Sequence, residues 1–129
     1  MNTVSKITTA ILVIVISLSS CNKDKDKVEM AISDEYYVKY VVKCSQNRWY
    51  VSSFSINTDA GTKTFNDYKS TSWTQTYGPV KKGFVASATA SQSPVPAIEI
   101  YVSKNQSPFA LKASKTGSNQ VSLSYTIDF

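Results

Sequence analysis

From Tyr36 onward, apolar and polar side chains alternate with a period of two, and no stretch carries a helical period. Successive side chains of a strand point to opposite faces, so such alternation gives each strand one apolar face that must be buried. The last third is the clearest. Ile98, Ile100 and Val102 alternate with Glu99, Tyr101 and Ser103, and Phe109, Leu111 and Ala113 repeat the pattern. Val121, Leu123, Tyr125, Ile127 and Phe129 then alternate with Ser122, Ser124, Thr126 and Asp128. At the start, Tyr36–Cys44 sets Val38, Tyr40, Val42 and Cys44 against Lys39, Val41 and Lys43.

Between these ends, Trp49–Thr58 brings Tyr50, Phe54 and Ile56 into phase, and Asp59-Ala60-Gly61 is a turn signal. Thr62–Tyr68 is the expected return strand. Ser72–Tyr77 sets Trp73, Gln75 and Tyr77 together, and Gly78-Pro79 with Lys81-Lys82-Gly83 marks the next corner. Phe84, Ala86, Ala88 and Ala90 form another apolar face. Ser93-Pro94-Val95-Pro96 interrupts any ladder and predicts a crossing loop. Seven or eight such strands predict an all-β domain over residues 36–129. The expected form is a two-sheet antiparallel β-sandwich, immunoglobulin-like or transthyretin-like. A competing architecture is an eight-stranded membrane barrel closed by Val121–Phe129, although several strands are short and the Phe84–Ala90 face is small.

The segment before the strands has a different character. A start bearing one lysine precedes the mostly apolar Ile7–Leu18, followed by Ser19 and Ser20. This is the layout of a secretory signal peptide over residues 1–20. Twelve helical residues rise about 18 Å, short of the roughly 30 Å hydrocarbon core. Leu18-Ser19-Ser20-Cys21 resembles the lipobox of bacterial lipoproteins. That resemblance implies cleavage before Cys21, lipidation of its thiol and an outer-membrane anchor, for which two or more acyl chains suffice. Residues 21–35 alternate in charge through Lys23-Asp24-Lys25-Asp26-Lys27 and are expected to form a flexible tether. A charged run after the lipidated cysteine also resembles surface-export signals, so periplasmic and surface display are both open.

Without residues 1–20 the chain has 109 residues, with 13 basic against 9 acidic side chains, or +4. The charge is uneven: residues 22–35 carry 3 basic and 5 acidic groups (−2), and residues 36–129 carry 10 and 4 (+6). The domain lysines are scattered apart from Lys81-Lys82, the pattern of a solvated surface, and export argues against nucleic acid as a partner. With Cys21 lipidated, Cys44 has no disulfide partner and is expected to be a small buried hydrophobe.

Catalytic devices are sparse. The chain has no histidine, which removes Ser-His and Cys-His pairs and His-ligated metals, and no phosphate loop or nucleotide fingerprint is present. A carboxylate pair would have to come from Asp59, Asp67, Glu99 and Asp128, with Glu99 and Asp128 on the polar side of strands. No cofactor is implied. The conspicuous excess is aromatic: eight Tyr, five Phe and two Trp. Trp49, Trp73, Tyr77 and Tyr101 are the candidate ligand-binding residues, set against packing of Trp73, Tyr40 and Tyr125 in the core.

Tyr37-Val38-Lys39-Tyr40, Gly78-Pro79-Val80 with Gly83-Phe84, and Tyr101–Lys104 through Pro108–Lys112 resemble small lipoproteins of Bacteroidetes. The Ser72-Trp73 corner and closing strands are more faintly similar to the MmpS-type β-sandwich, whose members assist lipid exporters. The chain departs from that type in its lipobox and in having no disulfide pair, since lipidation of Cys21 leaves Cys44 alone. The expected function is a lipid-anchored, non-enzymatic interaction or accessory module of an envelope complex. A surface carbohydrate-binding module is the alternative.

Overall fold

The computed structural model describes residues 32–46 and 49–129, and every regular element in them is a β-strand. The strands are β1 (Tyr36–Cys44), β2 (Ser53–Thr58), β3 (Gly61–Phe65), β4 (Ser72–Val80), β5 (Val85–Ser93), β6 (Pro96–Lys104), β7 (Ala110–Thr116) and β8 (Asn119–Thr126). They form two antiparallel four-stranded sheets, ordered β4-β1-β6-β7 and β3-β2-β5-β8. This is the expected β-sandwich. The sheets do not close into a barrel, because β8 ends its sheet and pairs with β5 alone. Residues 1–31, which hold the expected signal peptide, Cys21 and most of the tether, lie outside the described residues.

The alternation explains the layers. Val38, Tyr40 and Val42 of β1 and Ile98, Ile100 and Val102 of β6 are buried, and so are Phe54 and Ile56 of β2 on the opposing sheet. The alanines of β5, Ala86, Ala88 and Ala90, are also buried and leave room for large side chains opposite. Tyr40 uses that room. Fully buried, it donates its hydroxyl to the Asn57 carbonyl on β2 at 2.6 Å, and burial pushes its phenol pKa up. Cys44 is buried and free. Residues Pro94 and Val95 carry the chain from β5 to β6 in the other sheet, as the proline-rich segment predicts.

Four local readings are corrected. The expected inward face of Phe109, Leu111 and Ala113 is broken by a bulge: Ile100 pairs with Ala113 but Tyr101 pairs with Leu111. The extra residue, Lys112, flips the phase, and Leu111 stands 53% exposed on the outer face. Tyr50 is exposed and its neighbour Val51 is buried instead, because Val51 bridges Ser70 before β2 begins. Gly78-Pro79 does not end a strand. β4 runs through it as an edge strand, where a residue without an N–H is tolerated. Asp34 and Glu35, read as tether, belong to the compact unit Asp34–Phe129.

Candidate functional site

The two outer faces of the sandwich differ in chemistry. On the β3-β2-β5-β8 sheet the outward positions are Ser53, Ser55 and Asn57, then Val85, Ser87, Thr89 and Ser91, then Ser122, Ser124 and Thr126, all short and polar except the exposed Val85 at one end. Such short polar side chains make a solvated surface. The outward positions of the β4-β1-β6-β7 sheet are larger and include rings and charges. Register places Thr76, Lys39, Tyr101 and Leu111 in one row across its four strands, and Thr74, Val41, Glu99 and Ser114 in the next.

Lys39 lies between two rings, its Nζ 4.5 Å from the centre of Tyr101 and 4.9 Å from that of Phe109. Cation–π attraction of this kind holds both rings in place. Tyr101 donates its hydroxyl to Glu99 at 2.8 Å, and Lys43 meets the other Glu99 oxygen at 2.6 Å. The Lys43 hydrogen bond holds the Glu99 carboxyl below its ordinary 4.5, aided by Tyr101, and the same carboxylate pushes the Tyr101 phenol up. A carboxyl whose folded pKa is lowered stabilises the fold above its unfolded value and loses that contribution as pH falls through the folded value. Lys43→Met is therefore expected to cost about 0.2–1 kcal/mol at neutral pH, the range for exposed ion pairs. It should also flatten the loss of stability that sets in as pH falls below the ordinary glutamate value of 4.5. Urea unfolding at several pH values checks both effects.

Above this row, the β6–β7 connection overhangs the start of β1. Asn105 and Gln106 both take left-handed backbone, at φ 50° and 63°, and the Ser107 amide donates to the Lys104 carbonyl at 2.9 Å. That pair of conformations makes the tight turn whose twist suits a hairpin. The turn is pinned from the N-terminal side. Asn105 N–H donates to the Glu35 carbonyl at 2.8 Å, and Glu35 N–H donates to Asn105 Oδ1 at 2.9 Å. Asn105 Nδ2 donates to Asp34, whose other oxygen pairs with Lys104 at 2.8 Å. The Lys104 hydrogen bond holds the Asp34 carboxyl below its ordinary range.

Under this turn lies an open cavity of about 370 Å³, lined by Tyr37, Thr76, Ser103, Gln106, Ser107 and Phe109. Tyr37 and Ser103 are register partners, and the buried Ser103 hydroxyl donates to the Ser107 carbonyl. Tyr37 donates its hydroxyl to Glu35 at 3.2 Å.

The four aromatic residues singled out in the sequence do not share a platform. Tyr101 is on the outer face just described. Trp49 is 51% exposed in the β1–β2 connection, where its amide donates to the Gln46 carbonyl. Trp73 and Tyr77 face inward from β4. Trp73 lies 4.9 Å from Phe54 and 5.1 Å from Phe65, and Tyr77 lies 6.2 Å from Tyr40. Tyr37 and Phe109 are rings that sequence reasoning misses. Tyr37 has the phase of Lys39, an available signal, whereas Phe109 is turned outward by a bulge the sequence does not mark. Glu99 is engaged by Lys43 and Tyr101, and Asp128 follows β8 of the other sheet and meets the Tyr125 hydroxyl at 3.4 Å. Among the described residues no group of three or more acidic or cysteine side chains could hold a metal ion. Compared with family models, curated proteins and solved structures, the chain shows no match.

Proposed function

We propose that this protein is a lipid-anchored, non-enzymatic module of the bacterial envelope, held at the outer membrane through Cys21. It binds a partner in an envelope complex through the outer face of its β4-β1-β6-β7 sheet. The observation that carries this reading is the asymmetry of the two outer faces. One is mostly serine and threonine, with a single exposed valine, Val85, at its end. The other presents Leu111, Phe109 and Tyr101 around Lys39, a mixture of rings, aliphatic surface and charge that suits an interface. The only outward carboxylate of that row pair, Glu99, is already engaged by Lys43 and Tyr101, which favours binding over acid–base chemistry. Residues 22–33 span at most about 40 Å when extended, so a domain anchored at Cys21 stays close to the membrane.

The test is affinity capture from native envelopes with the full-length protein, Cys21→Ala, Leu111→Glu and Ser124→Glu. The expected result is one stoichiometric envelope protein that is retained by Ser124→Glu and lost with Leu111→Glu. Mass spectrometry should find acyl chains on Cys21 and none on the Cys21→Ala chain. Equal capture by both face variants would place the interface elsewhere. A second reading, a carbohydrate-binding module, has one specific observation in its favour: the cavity beneath the β6–β7 turn joins two rings to uncharged polar groups.

A further inference from the structure

We propose that the cavity between Tyr37, Phe109 and the β6–β7 turn is a binding site for a short stretch of neutral glycan. The inference rests on reading this sheet face as the binding face, and it names the ligand.

Size comes first. A volume of about 370 Å³ falls within the usual range of small-ligand sites, and the cavity is open, so a chain can pass through. Its lining then fixes the chemistry. Tyr37 and Phe109 put two aromatic rings in the lining, the kind of group that packs against the C–H face of a sugar ring. Gln106 and Thr76 are exposed at the cavity, and their amide and hydroxyl are donors and acceptors suited to sugar hydroxyls. A purely apolar ligand would strip water from those groups without replacing their hydrogen bonds.

Charge argues for neutrality. No lining residue is a carboxylate or a cation. Two lysines near the site are already engaged: Lys39 by the rings of Tyr101 and Phe109, Lys104 by Asp34. Tyr37, an ordinary phenol that burial and Glu35 push further up, keeps its proton at neutral pH. An anionic glycan would therefore find no positive partner in the lining. A peptide is less suited as well. Peptides that dock on sheets add to an edge strand through main-chain hydrogen bonds, whereas this cavity lies on the sheet face: the edge strand β4 lends it Thr76 alone, and the other lining residues come from β1, β6 and the turn after β6.

The site is also held in shape before ligand arrives. Lys39 holds Phe109 through its ring face, and Asp34 and Glu35 pin the turn through Asn105. Gln106 keeps a left-handed backbone that a glutamine rarely adopts, and it does so at the cavity mouth. Preorganisation of this kind lowers the ordering cost of binding.

The test is isothermal titration of the full-length protein with cellohexaose, xylohexaose, mannohexaose, maltohexaose and laminarihexaose, with oligogalacturonate as the charged comparison. At least one neutral oligosaccharide should bind, and Phe109→Ala should weaken it about tenfold, as loss of one aromatic contact implies. Gln106→Ala should weaken it too. Gln106→Asn, which keeps an amide on a residue tolerant of left-handed backbone, should bind better than Gln106→Ala. Trp49→Ala should bind like the parent. Phe109 and Gln106 are exposed, so these variants retain the fold, which circular dichroism verifies. Binding lost with Trp49→Ala and kept with Phe109→Ala overturns the site. Binding of oligogalacturonate alone overturns the neutral class. No saccharide binding at millimolar concentration overturns the inference. In that case a captured envelope protein sensitive to Leu111→Glu leaves the interaction module standing, whereas no such capture removes that reading as well.

Discussion

Phe54→Ala is expected to cost about 3–5 kcal/mol, most of the stability available to a domain of this size. Phe54 is 2% exposed and is the hub of an aromatic cluster that joins the two sheets at one side. It stacks on Phe65 of β3 at 4.6 Å and 14°, meets Tyr68 edge-on at 5.6 Å, and lies 4.9 Å from Trp73 of β4. Since β3 and β4 are edge strands of opposite sheets, this cluster supplies contact that neither strand gains from an inner neighbour. Removing the ring loses its transfer free energy and leaves a cavity that four elements would have to close together. Phe54→Leu keeps most of the volume and should cost about 1.5 kcal/mol or less. Urea denaturation measures both. Tryptophan emission gives a second readout: Trp49 is exposed in the parent, so a red shift in the Phe54→Ala native state reports loosening around Trp73. A cost below about 1 kcal/mol with unchanged emission would show that the cluster contributes little.

How much of this is legible in the sequence follows from which signals are local. β1 is readable to the residue, because Lys39 and Lys43 fix the outward phase of Tyr36–Cys44 and its burial alternates accordingly. The hairpin at Asp59-Ala60-Gly61 and the crossing at Ser93–Pro96 are readable for the same reason, since turn chemistry is written in the residues that make the turn. Pairing is not local. Leu111-Lys112-Ala113 looks like ordinary alternation, and only the register against Ile100 and Tyr101 inserts the bulge that turns Phe109 and Leu111 outward. Sheet order is equally hidden. Five of the seven connections cross between sheets, so neighbours in sequence are seldom neighbours in a sheet.

The candidate site divides along the same line. Tyr101 belongs to an outward phase that alternation reveals. The cavity does not, because its walls come from Tyr37, Thr76 and the Gln106–Phe109 segment, joined by β1–β4 and β1–β6 pairing. Trp73 and Tyr77 are readable as sharing a face of β4, but whether that face is inner or outer depends on the opposing sheet. Aromatic content alone cannot separate a core tyrosine such as Tyr40 from a surface one such as Tyr37.

Gly78→Ala is expected to cost about 2–5 kcal/mol and to disturb the cavity as well as the fold. Between the register pairs Tyr36–Val80 and Val38–Tyr77, β1 places one residue, Tyr37, against two on β4, Gly78 and Pro79. This is a bulge on an edge strand, and glycine makes it possible in two separate ways. Its φ of 140° is one that L side chains rarely adopt. A Cβ there would also stand 2.8 Å from the Tyr36 carbonyl oxygen and 2.9 Å from Tyr37 Cδ1. The first contact is with backbone in the centre of a sheet, which cannot yield without breaking ladder bonds. Gly83→Ala separates the two causes, because Gly83 also has positive φ, 89°, yet a Cβ there meets nothing within 4 Å. It should show the conformational cost alone, about 1–3 kcal/mol, and leave ligand binding unchanged. Gly78→Ala should exceed it and, by displacing Tyr37, weaken any ligand that Phe109→Ala weakens. Equal costs for the two variants would mean that β4 yields at its edge and that the close approach to β1 contributes nothing.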